Sequence, residues 1–209
     1  GHPGPGSNLI NPLGLVRSQD YGKTLTTINF SGQSDFHIMA ASYYGETVYL
    51  INPRPNSLLS TGMFYSLDGG ETWEQSAADG LASSPIQLAV HPERSNIVAV
   101  ATQNGLLLSE DFGDTFTPIT RDMTTSVTFD PDGERLIYGL DELFVYSLVD
   151  REIAPLSNSP EVDTEQAIFY IAVNPTTEAI AVATTDRDIF YSPDNGETWE
   201  KIGENGVSQ

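Results

Sequence analysis

Apolar positions along the chain fall into short, nearly continuous runs, each closed by Gly, Pro, Asn, Asp or Ser. From Ile86 the order is IQLAVHP, NIVAVATQ, GLLLSED and TFTPIT; from Ala167 it is AIFYIAVNP, EAIAVAT, DIFYSPD and TWEKIG. Runs of this length between turn residues predict strands. The inner ones are apolar at almost every position, as strands covered on both faces are. No stretch keeps the apolar period of a helix over three turns, so the chain reads as all-β in units of four strands.

The units repeat. SQDYGKTLT begins at Ser18, SLDGGETWE at Ser66, SEDFGDTFT at Ser109 and SPDNGETWE at Ser192, and a degraded copy keeps only Ser147. The starts at 18, 66, 109, 147 and 192 give a spacing in the range of β-propeller blades of about 40–45 residues. Each box falls between the third and fourth strands of its unit. Ser and Asp can bond the turn's own amides. Gly supplies a positive φ, Thr opens the outer strand, and Trp73, Phe116 or Trp199 is expected to bury its ring between blades. The expected structural set is Ser18, Asp20, Gly22 and Thr24; Ser66, Asp68, Gly70, Thr72 and Trp73; Ser109, Asp111, Gly113, Thr115 and Phe116; and Ser192, Asp194, Gly196, Thr198 and Trp199. One carboxylate per box is too few for calcium, which takes six or more oxygens.

Composition narrows the function classes. The 209 residues carry 29 Asp plus Glu against 9 Lys plus Arg, a formal charge of −20. Such a surface repels phosphate backbones and anionic lipid, so nucleic acid is not an expected partner. The same charge also serves solubility alone. Without cysteine there is no disulfide, thiol chemistry or Cys-ligated metal, and no apolar run is long enough for a membrane-spanning helix. The first residue is not Met and no signal-peptide pattern opens the chain, as in a processed form or a fragment.

The Ser-x-Asp-x-Gly-x-Thr-Trp/Phe pattern resembles the Asp-box, or BNR repeat, of sialidases, sortilin-type receptors, photosystem assembly factors and xyloglucan hydrolases. Three copies are full, the first lacks the aromatic (Leu25), and one is degenerate. GHPGPGSNLINPLGL, SQDYGKT and DFHIMA resemble a group of bacterial exported Asp-box proteins labelled glycosylhydrolases. That resemblance implies a β-propeller, an extracytoplasmic location and a hydrolase label with no catalytic residues to carry over. It also implies a preceding stretch holding one blade and half of another. About five blades are then visible here, and about six are expected in the intact protein. The chain reads as one propeller domain: a partial blade at 1–28 and complete blades at 33–77, 84–119, 124–156 and 166–203.

Propeller geometry places the boxes and the first-to-second-strand turns on one face. His91, Asp130, Asp132 and Asn174 in the latter read as turn residues. The opposite face, where ligands usually bind, collects the candidate site residues His2, Asp35, His37, Arg54, Asn104, Arg121, Asp141, Glu165, Asp186 and Arg187, together with Asp122, Glu142 and Gln166. His2 and His37 with a carboxylate would suit a divalent transition metal; equally, His37 packs beside an inner strand and His2 belongs to a mobile terminus. Two functions follow. The first is a non-catalytic module binding a glycan or an exported protein through this face, or serving as an assembly factor. The second is a sialidase-like glycoside hydrolase, with Arg54, Arg121 and Arg187 as carboxylate clamp and Tyr170 near Glu165 as nucleophile pair. The Arg-Ile-Pro motif of sialidases is absent.

Overall fold

The computed structural model describes residues 1–208, and it contains strands and no helix. A two-stranded hairpin comes first, β1 (Leu15–Arg17) with β2 (Thr26–Asn29). Three four-stranded antiparallel meanders follow. They are β3 (Met39–Ala41), β4 (Val48–Asn52), β5 (Gly62–Ser66) and β6 (Glu74–Gln75); β7 (Pro85–Val90), β8 (Val98–Thr102), β9 (Gly105–Ser109) and β10 (Thr117–Thr120); and β11 (Ser126–Phe129), β12 (Arg135–Gly139), β13 (Leu143–Ser147) and β14 (Ile153–Pro155). The last sheet, β15 (Ile168–Val173), β16 (Ile180–Thr184), β17 (Ile189–Ser192) and β18 (Glu200–Glu204), gains a fifth strand, β19 (Val207–Ser208), on its outer edge. The inner strands stack in sequence, β3 on β7 on β11 on β15. This is a β-propeller of four-stranded antiparallel blades.

The core lies between blades, which explains the unbroken apolar runs. Tyr49 and Met63 of the β3–β6 blade meet Leu88, Val98 and Val100 of the β7–β10 blade. Ala99, Leu106 and Leu108 of that blade meet Val127, Leu136 and Tyr146 of the β11–β14 blade. Ile137 and Leu143 in turn meet Ile168, Ile180 and Phe190. The central strand β8 is therefore buried at all five positions. The three box aromatics differ, however. Phe116 is buried, whereas Trp73 and Trp199 are only partly covered at their interblade seams. Trp199 does pack against the seam formed by Ile137, Leu143, Ile168, Ile180 and Phe190, but as a partly buried ring rather than a fully buried one.

The four Ser-x-Asp-x-Gly-x-Thr turns share one hydrogen-bond pattern. In the second, Ser66 Oγ donates to Asp68 Oδ1 (2.7 Å) and accepts from Gly70 N (2.8 Å). Asp68 Oδ1 accepts from Thr72 N (2.9 Å), and Oδ2 from Thr72 Oγ1 (2.5 Å). The Thr72 hydroxyl and amide, with the Ser66 hydroxyl, hold the Asp68 carboxyl well below its usual range. The same bonds recur around Asp20, Asp111 and Asp194. In the degraded copy the Ser147 hydroxyl donates instead to Asp150 Oδ2 at 3.3 Å. Gly70 stands at φ 98°, and a Cβ there would collide with Leu15 of the preceding hairpin. The turn's glycine is therefore set by both φ and the neighbouring blade.

Because Ser109 is buried and bonds both Asp111 and Gly113 N (2.9 Å), Ser109→Ala leaves that amide unpaired. We expect a loss of about 1–3 kcal/mol in urea denaturation. A loss within the error of the measurement would show that the turn closes without the hydroxyl.

Candidate functional site

The antiparallel order sorts the connections. Those after β2, β4, β6, β8, β10, β12, β14 and β16 emerge at the end opposite the Ser-Asp turns. Asp35 and His37 lie between β2 and β3, Arg54 between β4 and β5, and Asn104 between β8 and β9. Arg121 lies between β10 and β11, Asp141 between β12 and β13, Glu165 between β14 and β15, and Asp186 and Arg187 between β16 and β17. The N-terminal loop comes to the same end, since Gly32 N donates to Pro12 O (2.8 Å).

Three segments far apart in sequence enclose a cavity of about 580 Å³ there. Its lining includes His2 and Asn11 of the N-terminal loop, Gln33 to Asp35 and His37 of the β2–β3 link, and Asn52 to Arg54. Local chemistry shapes its walls. Asn56 Oδ1 accepts from Leu58 N (2.9 Å) and Leu59 N (2.8 Å), folding the Pro-rich loop after β4 into a tight turn. Asn56 Nδ2 donates to Ser34 Oγ (2.8 Å) and Ser57 N to Gln33 Oε1 (3.1 Å), tying that loop to the β2–β3 link.

Charge gathers on Asp35. His2 Nε2 and His37 Nε2 stand 2.8 and 2.9 Å from its Oδ2, and the amino group of Gly1 stands 2.6 Å from Oδ1. That amino group, and after it His2 and His37, keep the Asp35 carboxyl below its ordinary range despite partial desolvation. His2 Nδ1 is in turn 2.6 Å from Asn11 Oδ1. Both ring nitrogens facing Asp35 are thus engaged by one carboxylate oxygen. Among the described residues no group of three His, Asp or Glu side chains is arranged to hold a metal ion.

Sequence reasoning missed Asn52. It ends β4 wholly buried and donates through Nδ2 to Ser60 O (2.7 Å), but its Oδ1 has no hydrogen-bond partner. A buried unpaired acceptor is expensive unless a ligand or water meets it. The signal available was a polar residue closing the otherwise apolar run VYLIN.

The other candidates lie outside this cavity. Arg121 and Arg187 are exposed and do not line it, so the three arginines form no common clamp there. Asn104 donates to Ser83 Oγ. Asp186 and Arg187 sit in a turn beside Asp188, whose carboxyl pairs with Lys201 (2.8 Å) and accepts from Asn205 N (2.9 Å). Glu165 is exposed, and Tyr170 is 60 % exposed on β15. Asp141 lines a separate cavity, described below. The central groove between the inner strands is lined by residues such as Ala40, Leu88, Val127 and Ile171, and holds none of the candidates.

The sheet order and the interblade core define a propeller. The sequence model of the Sortilin-Vps10 family (sortilin, neurotensin receptor 3) matches residues 14–144. This chain belongs to that family. No curated protein sequence matches it at a significant level. Among solved structures it is similar to a GH74 enzyme of Niastella koreensis, with a TM-score of 0.64 and 16 % identity over 96 % of this chain and 35 % of that one. It is also similar to a chain of a nidogen/laminin complex (TM-score 0.62, 8 % identity, 85 % and 68 % covered). A third is YCF48 bound to D1 peptide (0.52, 17 %, 88 % and 60 %). The chain spans about a third of the GH74 enzyme's length.

Proposed function

We propose that this chain is a non-catalytic, exported propeller that binds a protein partner through the face opposite its Ser-Asp turns, and that those turns are Asp-boxes with a purely structural role. The cavity beside β4 carries the reading. It combines a buried, unpaired acceptor (Asn52 Oδ1), a cation (Arg54) and two imidazoles around Asp35, which is chemistry for recognising a polar ligand. Two structural neighbours were solved with protein or peptide partners, in line with this use of the fold. Glycoside hydrolysis fits the cavity less well. Its lining has a single carboxylate where two are ordinarily needed, and the contacts that lower the Asp35 carboxyl's pKa disfavour it as a proton donor.

The test is selection of a phage-displayed random peptide library on the protein. Enriched peptides should bind Arg54→Glu at least about tenfold more weakly, the scale of one lost charged contact, and bind Glu71→Lys, on the turn face, unchanged. Peptides that tolerate Arg54→Glu but lose binding to Glu71→Lys, or a library with no enrichment, would overturn the reading.

A further inference from the structure

A second cavity, of about 340 Å³, opens between the β7–β10 and β11–β14 blades on the same face. Its wall is aromatic: Tyr138 on β12 and Phe144 on β13 are cross-strand partners with ring centroids 5.9 Å apart at 30°. Exposed Met123 and Ile153 extend the apolar surface. The polar groups at the mouth are of one sign. Asp122 comes from the β10–β11 link, and Asp141 and Glu142 from the β12–β13 turn. No Lys or Arg lines the cavity, and none of the three carboxylates has an ion-pair partner among the described residues.

Carboxylates alone would mark only a solvated rim. The independent sign is Tyr138, which is 4 % exposed and lines the cavity, while its hydroxyl has no hydrogen-bond partner among the described residues. The oxygen itself is not sealed in the core, since the buried unpaired side-chain atoms among the described residues belong to Asp35, Asn52 and Gln166; the Tyr138 ring is held in the wall while its acceptor stays open to a ligand. Burial, and then Asp122, pushes that hydroxyl up to about 12, so it stays neutral and its oxygen can accept. The site therefore offers a π-surface, an unused acceptor and three negative charges, in a volume suited to a small molecule.

We propose that this interblade cavity binds a small organic cation, an ammonium group carried on an aromatic or aliphatic body. The body packs on Tyr138 and Phe144, while the ammonium donates to the Tyr138 hydroxyl and is balanced by Asp122, Asp141 and Glu142. The net charge of −20 raises the local concentration of such ligands and disfavours anions. This site shares no lining residue with the Asp35 cavity and stands independently of the protein-binding reading.

The probe is phenethylammonium, titrated calorimetrically beside its neutral isostere 2-phenylethanol, anionic 3-phenylpropionate and methylammonium. We expect the aromatic cation to bind at least tenfold more tightly than the other three. Tyr138→Phe should weaken it three- to tenfold, and Asp141→Asn with Glu142→Gln at least tenfold. Arg54→Glu should leave it unchanged. Equal binding of methylammonium and phenethylammonium would reveal only diffuse attraction to an acidic surface and overturn the proposal. So would equal binding of the neutral isostere, or affinity indifferent to both variants. Retention of the wild-type melting profile by Tyr138→Phe separates a lost contact from a lost fold.

Discussion

Phe116→Ala is expected to lower stability by about 3–5 kcal/mol, the range for deleting a buried phenyl group, and more than Trp199→Ala. Phe116 is 6 % exposed and follows Thr115 at the end of a Ser-Asp turn. Its ring fills the seam between Tyr49 and Met63 of one blade and Val98 and Val100 of the next. The backbone cannot easily follow it inward, because Phe116 N is bonded to Asp79 O (2.8 Å) and Thr115 forms a parallel bridge with Asp79. The cavity would therefore persist rather than collapse, which places the cost in the upper part of the range. Trp199 makes the corresponding contact in the last blade with its ring partly in solvent and its indole N–H on Asn158 O (3.2 Å). Urea denaturation of both variants checks the order. A loss equal to or smaller than that of Trp199→Ala would mean that the seam repacks around the missing ring.

That ordering shows what was legible in the chain. The Ser-x-Asp-x-Gly-x-Thr turns could be read because every bond in them lies within four residues, so the spacing itself states the geometry. The strands could be read because blades sandwiched between blades leave no polar positions to interrupt an apolar run. How deeply each box aromatic is buried depends on the neighbouring blade, and one motif cannot report that. The Asp35 cavity was legible in part. His2, Asp35, His37 and Arg54 stood out on the face opposite the Ser-Asp turns, but their meeting with Asn11 and Asn52 depends on how three separate loops cross. Tyr138 and Phe144 gave no signal at all. As alternating residues of a hairpin they look like core, and only the placement of the β10–β11 link exposes them to a cavity.

The second large effect concerns pH. His91 opens the β7–β8 turn with 2 % exposure, and its Nδ1 accepts from Glu93 N (3.1 Å) and Arg94 N (2.9 Å). Arg94 Nε stands as a donor 2.8 Å from the other ring nitrogen, Nε2, so N–H donors face both sides of the ring and oppose its taking up a second proton. Protonating Nδ1 would break both amide bonds and bury a charge beside Arg94 and the Phe129 ring. Burial first, then Arg94, lowers the imidazole to about 4, against the partial opposition of the Gly133 carbonyl and Asp132.

Because the unfolded chain binds this proton near pH 6.5 and the folded one only near 4, stability is complete above pH 6.5. It is lost as pH falls toward 4, at about 1.4 kcal/mol per unit and about 3 kcal/mol in all. The opposing group is Asp130, whose carboxyl burial raises against the pull of Arg135. His91→Asn isolates the imidazole. In the matching turn after β15, Asn174 Oδ1 already accepts from Thr176 N (2.9 Å) and Thr177 N (3.2 Å), so asparagine reproduces the amide contacts without titrating. Urea midpoints of the two proteins should diverge between pH 7.5 and 4.5, with the wild type falling and the variant flat apart from Asp130. Parallel curves would mean that His91 takes up its proton in the folded state at an ordinary pH, and that the turn tolerates the charge.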